Sequence, residues 1–97
     1  MAEVVLSNRA RADLKRIWRY IADDSETAAD RVLMAIDAKI EKLAAFPMIG
    51  PARDDIRPGV RVLVHGPRLV LYGYNPVADV VEIIAVVEGM RDLDSLF

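Results

Sequence analysis

The side chains best equipped for chemistry in this 97-residue chain are Arg61, His65, Tyr72, Tyr74, Glu88 and Arg91. Cleaving RNA through its own 2′-hydroxyl requires a group to take the hydroxyl proton, a donor for the leaving oxygen and cations facing the phosphate. These residue types could supply all three. Tyr72 and Tyr74 fall on one face of a predicted strand, because strand side chains alternate with period two. The plainer reading is that tyrosines on a small sheet fill its face and carry their hydroxyls to water. A net charge of −2 favours that reading, since proteins that grip nucleic acid usually carry a basic balance.

Other chemistries find less support. His65 is the one histidine and stands beside Gly66-Pro67, where a solvated turn histidine is the simple expectation. Cysteine is absent, so disulfide frameworks and thiolate metal sites are excluded. The carboxylates follow no known ligand spacing, and phosphate-cradling glycine motifs and the Gly-x-Ser-x-Gly element are missing. The expectation is therefore no catalytic residue, no metal and no cofactor.

Length and composition set the frame for those residues. Residues 1–97 are expected to form one domain, able to bury about 65% of its unfolded surface. The N-terminal stretch M-A-E-V-V-L-S-N-R-A lacks the basic and apolar regions of a signal peptide. No apolar run approaches the ~20 residues of a membrane span. A cytoplasmic protein without membrane contact is expected. The hydrophobic content of 54% is high, and some of that surface should need a partner to cover it. Charge is uneven: Arg9, Arg11, Lys15, Arg16 and Arg19 crowd the first helix around Asp13, whereas Asp79, Glu82, Glu88, Asp92 and Asp94 make the last third acidic.

The elements that must position the candidate residues follow from periodicity. Glu3–Leu6 reads as a strand, and Ser7 or Asn8 as the cap of a helix over residues 9–21. Ala10, Leu14, Ile17, Trp18 and Ile21 share one face of that helix, and Arg11, Lys15 and Arg19 another. Asp23-Asp24-Ser25 caps a second helix from Glu26 to about Ala45, with Ala29, Val32, Leu33, Ile36, Ile40 and Leu43 as its stripe. Pro47 stops it, and the short link makes the pair an antiparallel hairpin. The Pro- and Gly-rich connector over residues 47–59 should be held to the core by Met48, Ile49 and Ile56. Strands follow at Val60–His65, Arg68–Tyr74 and Asp79–Val87. The last, almost continuously apolar, is expected to be central, with the N-terminal strand on its free side. Gly89 ends the sheet, and Leu93, Leu96 and Phe97 give the tail apolar anchors.

This order of elements resembles the ParE branch of the RelE/ParE toxin superfamily. The resemblance is carried by S-N-R-A-R-A-D-L-K-R-I-W-R-Y-I, A-A-D-R-V-L, L-A-A-F-P-M-I-G, D-I-R-P-G-V-R-V-L, R-L-V-L-Y and V-E-I-I-A-V-V-E-G-M-R-D-L, in that order along the chain. Two positions depart from the pattern: Glu88 stands where many relatives carry histidine, and Met90 where they often carry a basic residue. The resemblance implies an α+β fold with an N-terminal strand, a helical hairpin and a three-stranded antiparallel meander. It implies the toxin of a type II toxin–antitoxin module, held as a hetero-oligomer by a ParD-like antitoxin encoded by an adjacent gene. DNA gyrase is the expected target, inhibited by binding, with no direct sequence-specific contact to nucleic acid. Target contacts are expected at Arg61, Tyr72, Arg91 and Asp92, and antitoxin contacts at Leu14, Trp18, Ile21, Val32 and Ile36 on the helical hairpin. The alternatives are a ribosome-dependent mRNA endonuclease of RelE type and an inactive remnant that still binds its antitoxin.

Overall fold

Ser7 makes the first joint of the chain. Its backbone N–H donates to Ile83 O, ending strand β1 (Glu3–Leu6) against strand β4 (Val80–Glu88). Its hydroxyl accepts from Ala10 N–H at 3.0 Å and donates to Ile84 O at 2.7 Å. One side chain thereby caps helix α1 (Asn8–Ala22) and satisfies a β4 carbonyl just where β1 stops pairing. This is the N-cap expected of a serine here. The fold is seen in a computed structural model that describes residues 1–89. The expectations placed on Met90, Arg91, Asp92, Leu93, Leu96 and Phe97 lie outside the described residues.

Helix α2 (Glu26–Glu41) is capped by Ser25, which accepts from Ala28 N–H. The helix was expected to reach Ala45. It stops at Glu41, and a 3-10 turn over Lys42–Ala44 replaces its last turn. Tightening of the final turn before proline is common, because proline biases the residue before it away from helical geometry. Strands β2 (Arg61–His65), β3 (Arg68–Asn75) and β4 form the antiparallel meander, and β1 adds in parallel on the free side of β4. The sheet order is β1-β4-β3-β2. Asn75 builds the β3–β4 turn by accepting from Val77 N–H and Ala78 N–H, as asparagine does in Asx turns.

The apolar run of β4 serves two cores. Val81, Ile83 and Val86 join Ala10, Ile17, Ile36, Ile40, Leu43, Val70 and Tyr72 under the helices. Ala85 and Val87 join Val60, Val62 and Leu71 on the opposite side, with Ile56, Leu69 and Ile84 packed against them. Strict alternation cannot place Ile83 and Val86 on one face. The register shift solves this: Leu71 lies opposite Ala85 while Tyr72 lies opposite Ile83, which leaves Ile84 as the extra residue of a bulge.

The connector differs from expectation. Ile56 packs on the second core, but Met48 and Ile49 are 58% and 57% exposed. Polar groups hold this loop instead. Tyr72 Oη accepts from Gly50 N–H at 2.9 Å, and Arg61 Nη1 donates to Gly50 O at 2.8 Å and Met48 O at 3.2 Å. Gly50 sits so close that a Cβ there would lie 2.7 Å from Val62 O, so the loop's seat on the sheet requires glycine.

Candidate functional site

Among the described residues, those with catalytic potential fall towards two ends of the sheet. Arg61 and Tyr72 are paired across β2 and β3, yet both direct their polar groups to the loop at 48–50. Burial pushes the Tyr72 phenol above its ordinary pKa, with the Gly50 N–H and Arg61 acting the other way, so at neutral pH it keeps its proton and is not available as a base. Tyr74 donates to Asp79 Oδ1 at 2.8 Å in the β3–β4 turn, and this bond raises its pKa. Arg68, Glu88 and His65 stand at the other end of the sheet, roughly 20 Å from Tyr74 at the rise of a strand. There Arg68 is buried and pairs with Glu88 at 3.1 Å, while its Nε has no hydrogen-bond partner among the described residues. Among the described residues no group of His, Cys, Asp or Glu is arranged to hold a metal ion, and no helix is long and apolar enough to cross a membrane.

Two expected contacts are corrected by burial. Tyr72 was assigned to the target and Ile36 to the antitoxin, but both are 0% exposed. Tyr72 anchors the connector from inside and Ile36 is core. Arg61 is half-buried and clamps the loop.

The other hairpin residues remain accessible. Leu14, Trp18, Ile21 and Val32 are half-buried. Trp18 Nε1 donates to Asp30 Oδ1 at 2.8 Å and so ties α1 to α2. Leu14 meets Leu33, Met34 and Asp37 around a shallow hollow. A second hollow, about 390 Å³, lies between β1 and α2 and is lined by Ala2, Val4, Leu6, Asp37, Ile40, Glu41 and Ala44. Asp37 borders both, so they form one track along α2. A third apolar hollow is made by Phe46, Pro47, Met48, Ile49 and Tyr74. Exposed Met34 and Phe46 add to this apolar surface.

Asp13 is the residue that the sequence reading passed over. It is 0% exposed. Its Oδ1 accepts from Arg9 Nε and Arg16 Nη1, each at 2.8 Å, and its Oδ2 accepts from Val86 N–H at 2.9 Å. The pattern was present in the sequence. An aspartate three residues after Ala10 and four before Ile17 lies on the apolar stripe, with arginines at i−4 and i+3 to neutralise it.

Comparison with known proteins agrees with this architecture. Two solved structures share the fold. One is titled "Chromosomal ParDE TA system from P. aeruginosa", with TM-score 0.76, 21% identity and coverage of 91% of this chain and 96% of that one. The other is a RelBE2 toxin–antitoxin complex from Mycobacterium tuberculosis, with TM-score 0.65, 22% identity and 90% coverage of each chain. These define the class as the RelE/ParE-like toxin fold. Among sequence relatives, Toxin ParE3 of Caulobacter vibrioides is 31% identical over 94 residues, covering 96% of this chain and 92% of the relative. Toxin ParE1 of Mycobacterium tuberculosis is 32% identical over 91 residues, covering 93% and 92%. Residues 4–93 match the family described as "ParE toxin of type II toxin-antitoxin system, parDE", and the chain belongs to that family.

Proposed function

We propose that this ParE-type toxin is neutralised by a small ParD-like antitoxin, the product of an adjacent gene, and that it acts by binding DNA gyrase rather than by cutting RNA. The observation that carries the antitoxin part is the apolar track along α2, open beside a strand whose outer edge is unpaired among the described residues. β1 sits at the end of the sheet order. Glu3 and Ser7 direct their N–H groups to β4, so alternation turns those of Val4 and Leu6 outward. An exposed edge beside an apolar groove favours a segment that orders on binding. Leu14, Trp18, Ile21 and Val32 lie on the hairpin that such a segment would cover.

Among the described residues Arg61 and Tyr72 are engaged by the connector, Tyr74 by Asp79 and Glu88 by Arg68. This supports binding over cleavage, because general acid–base catalysis needs such groups free and within reach of one scissile bond. Arg61 contributes to a target surface by fixing the exposed Phe46–Ile49 loop. The assignment of Arg91 and Asp92 to the target is kept as part of the proposal.

The test is direct. Purified chain should inhibit gyrase supercoiling or trap cleaved DNA, and the adjacent gene product should reverse this by forming a stable complex at micromolar concentration. Site-specific mRNA cleavage on ribosomes, without an effect on gyrase, would replace this reading with the endonuclease.

A further inference from the structure

Asp37 stands where the two hollows along α2 meet, with apolar surface on both sides. Towards the N-terminus of the helix are Leu14, Leu33 and Met34. In the other direction are Val4, Leu6 and Ile40. The Asp37 carboxylate is exposed and has no hydrogen bond or ion pair among the described residues, and the same holds for Glu41 one turn further along. The nearby Lys39 is engaged elsewhere, donating to Val64 O at 2.6 Å. A segment laid across this track must therefore cover an uncompensated carboxylate. Removing such a charge from water is costly unless a cation meets it.

We infer that Asp37 is a specificity-determining residue that reads a lysine or arginine in the antitoxin segment seated between β1 and α2. The inference rests on the antitoxin reading above. The geometry also sets the pattern of the occupant. From Leu33 to Ala44 the helix and its closing 3-10 turn advance roughly 18 Å, a span of about five extended residues. Side chains of an extended segment face the groove at every second position. The occupant should then carry an apolar residue, a cation and an apolar residue at alternate positions, with its backbone against the outer edge of β1. Antitoxins with an apolar or acidic residue at the middle position should be rejected, because they would leave Asp37 unpaired or face it with like charge.

The experiment titrates the full chain with the adjacent gene product by calorimetry. Asp37→Lys should weaken binding about tenfold or more, since like charges brought together in an interface are strongly unfavourable. Asp37→Asn, which keeps the shape, should give a smaller loss and a weaker dependence on salt. Glu82→Lys makes the same change in charge at an exposed β4 position outside both hollows and should leave affinity unchanged. A single Lys→Glu or Arg→Glu replacement in the antitoxin segment should restore binding to the Asp37→Lys chain. If the natural chain does not bind, the antitoxin reading itself fails. If it binds and Asp37→Lys binds equally well, or no single replacement restores the loss, the role of Asp37 is overturned while the antitoxin reading stands.

Discussion

The two helices each carry a carboxylate that faces another element, Asp13 on α1 and Asp37 on α2, and the two have opposite surroundings. Asp13 is enclosed, with both oxygens engaged by Arg9, Arg16 and Val86 N–H. Asp37 lies open in a groove with no partner among the described residues. The contrast separates a charge that holds the fold from a charge that is left for recognition. Asp13 works because β1 ends at Leu6, which leaves the β4 edge beyond Ile83 without a strand. The Ser7 hydroxyl and the Asp13 carboxylate take over the hydrogen bonds there, so α1 continues the edge that β1 vacates. Among the described residues the outer side of β1 is tied to the helical layer at its start, where Ala2 N–H donates to Ala44 O at 2.8 Å, while the edge over Asp37 is open.

Breaking the closed side should have the largest effect. Asp13→Ala leaves Val86 N–H buried without an acceptor and removes the partner of two arginines. We expect a loss of about 3 kcal/mol in denaturant-monitored stability. A loss below about 1 kcal/mol would mean that water replaces the carboxylate and that α1 is held by apolar packing alone.

The connector gives an intermediate case. Tyr72→Phe leaves the ring in place but orphans Gly50 N–H, and should cost about 1–2 kcal/mol. It also carries a pH signature. Burial raises the folded-state pKa of Tyr72 above the ordinary phenol value. Stability is therefore fully present below about pH 10 and falls as pH rises through the raised value, because the unfolded chain gives up the proton first. Tyr74, raised by its bond to Asp79, contributes with the same sign but weakly, since it is accessible to solvent. Most of the alkaline loss should vanish in Tyr72→Phe. An unchanged alkaline limb would show that the phenol ionises freely and is not enclosed.

The open side should show the smallest effect on stability. Asp37→Asn changes an exposed group that has no partner among the described residues, and should shift unfolding free energy by no more than about 0.5 kcal/mol. Its melting curve should overlay that of the natural chain. A larger shift in either direction would place Asp37 among the residues that hold the fold and weaken the contrast with Asp13.

Much of this molecule could be read before its structure was known. The helical stripes, the serine caps and the turn at Gly66-Pro67 follow from local periodicity and turn chemistry, and the place of β1 beside β4 from the almost continuously apolar run of the last strand. The exposed apolar surface was anticipated from composition, and the family from the order of short motifs. The stripes, caps and turn depend on neighbours a few residues apart, so the chain itself encodes them. The bulge at Ile84 does not belong to that class, because a run of apolar residues carries no mark of which one is extra; pairing with β3 decides it. The same holds for Tyr72 and Arg61. As residue types they suit a site, but the approach of Gly50, distant in sequence, turned them inward to hold a loop. Asp37 and Asp13 make the point most sharply. Each is an aspartate on an amphipathic helix. The apolar stripe and flanking arginines mark Asp13 for burial, but only packing against β4 supplies its third partner, Val86 N–H, and only the packing of β1 beside α2 leaves Asp37 facing solvent in a groove.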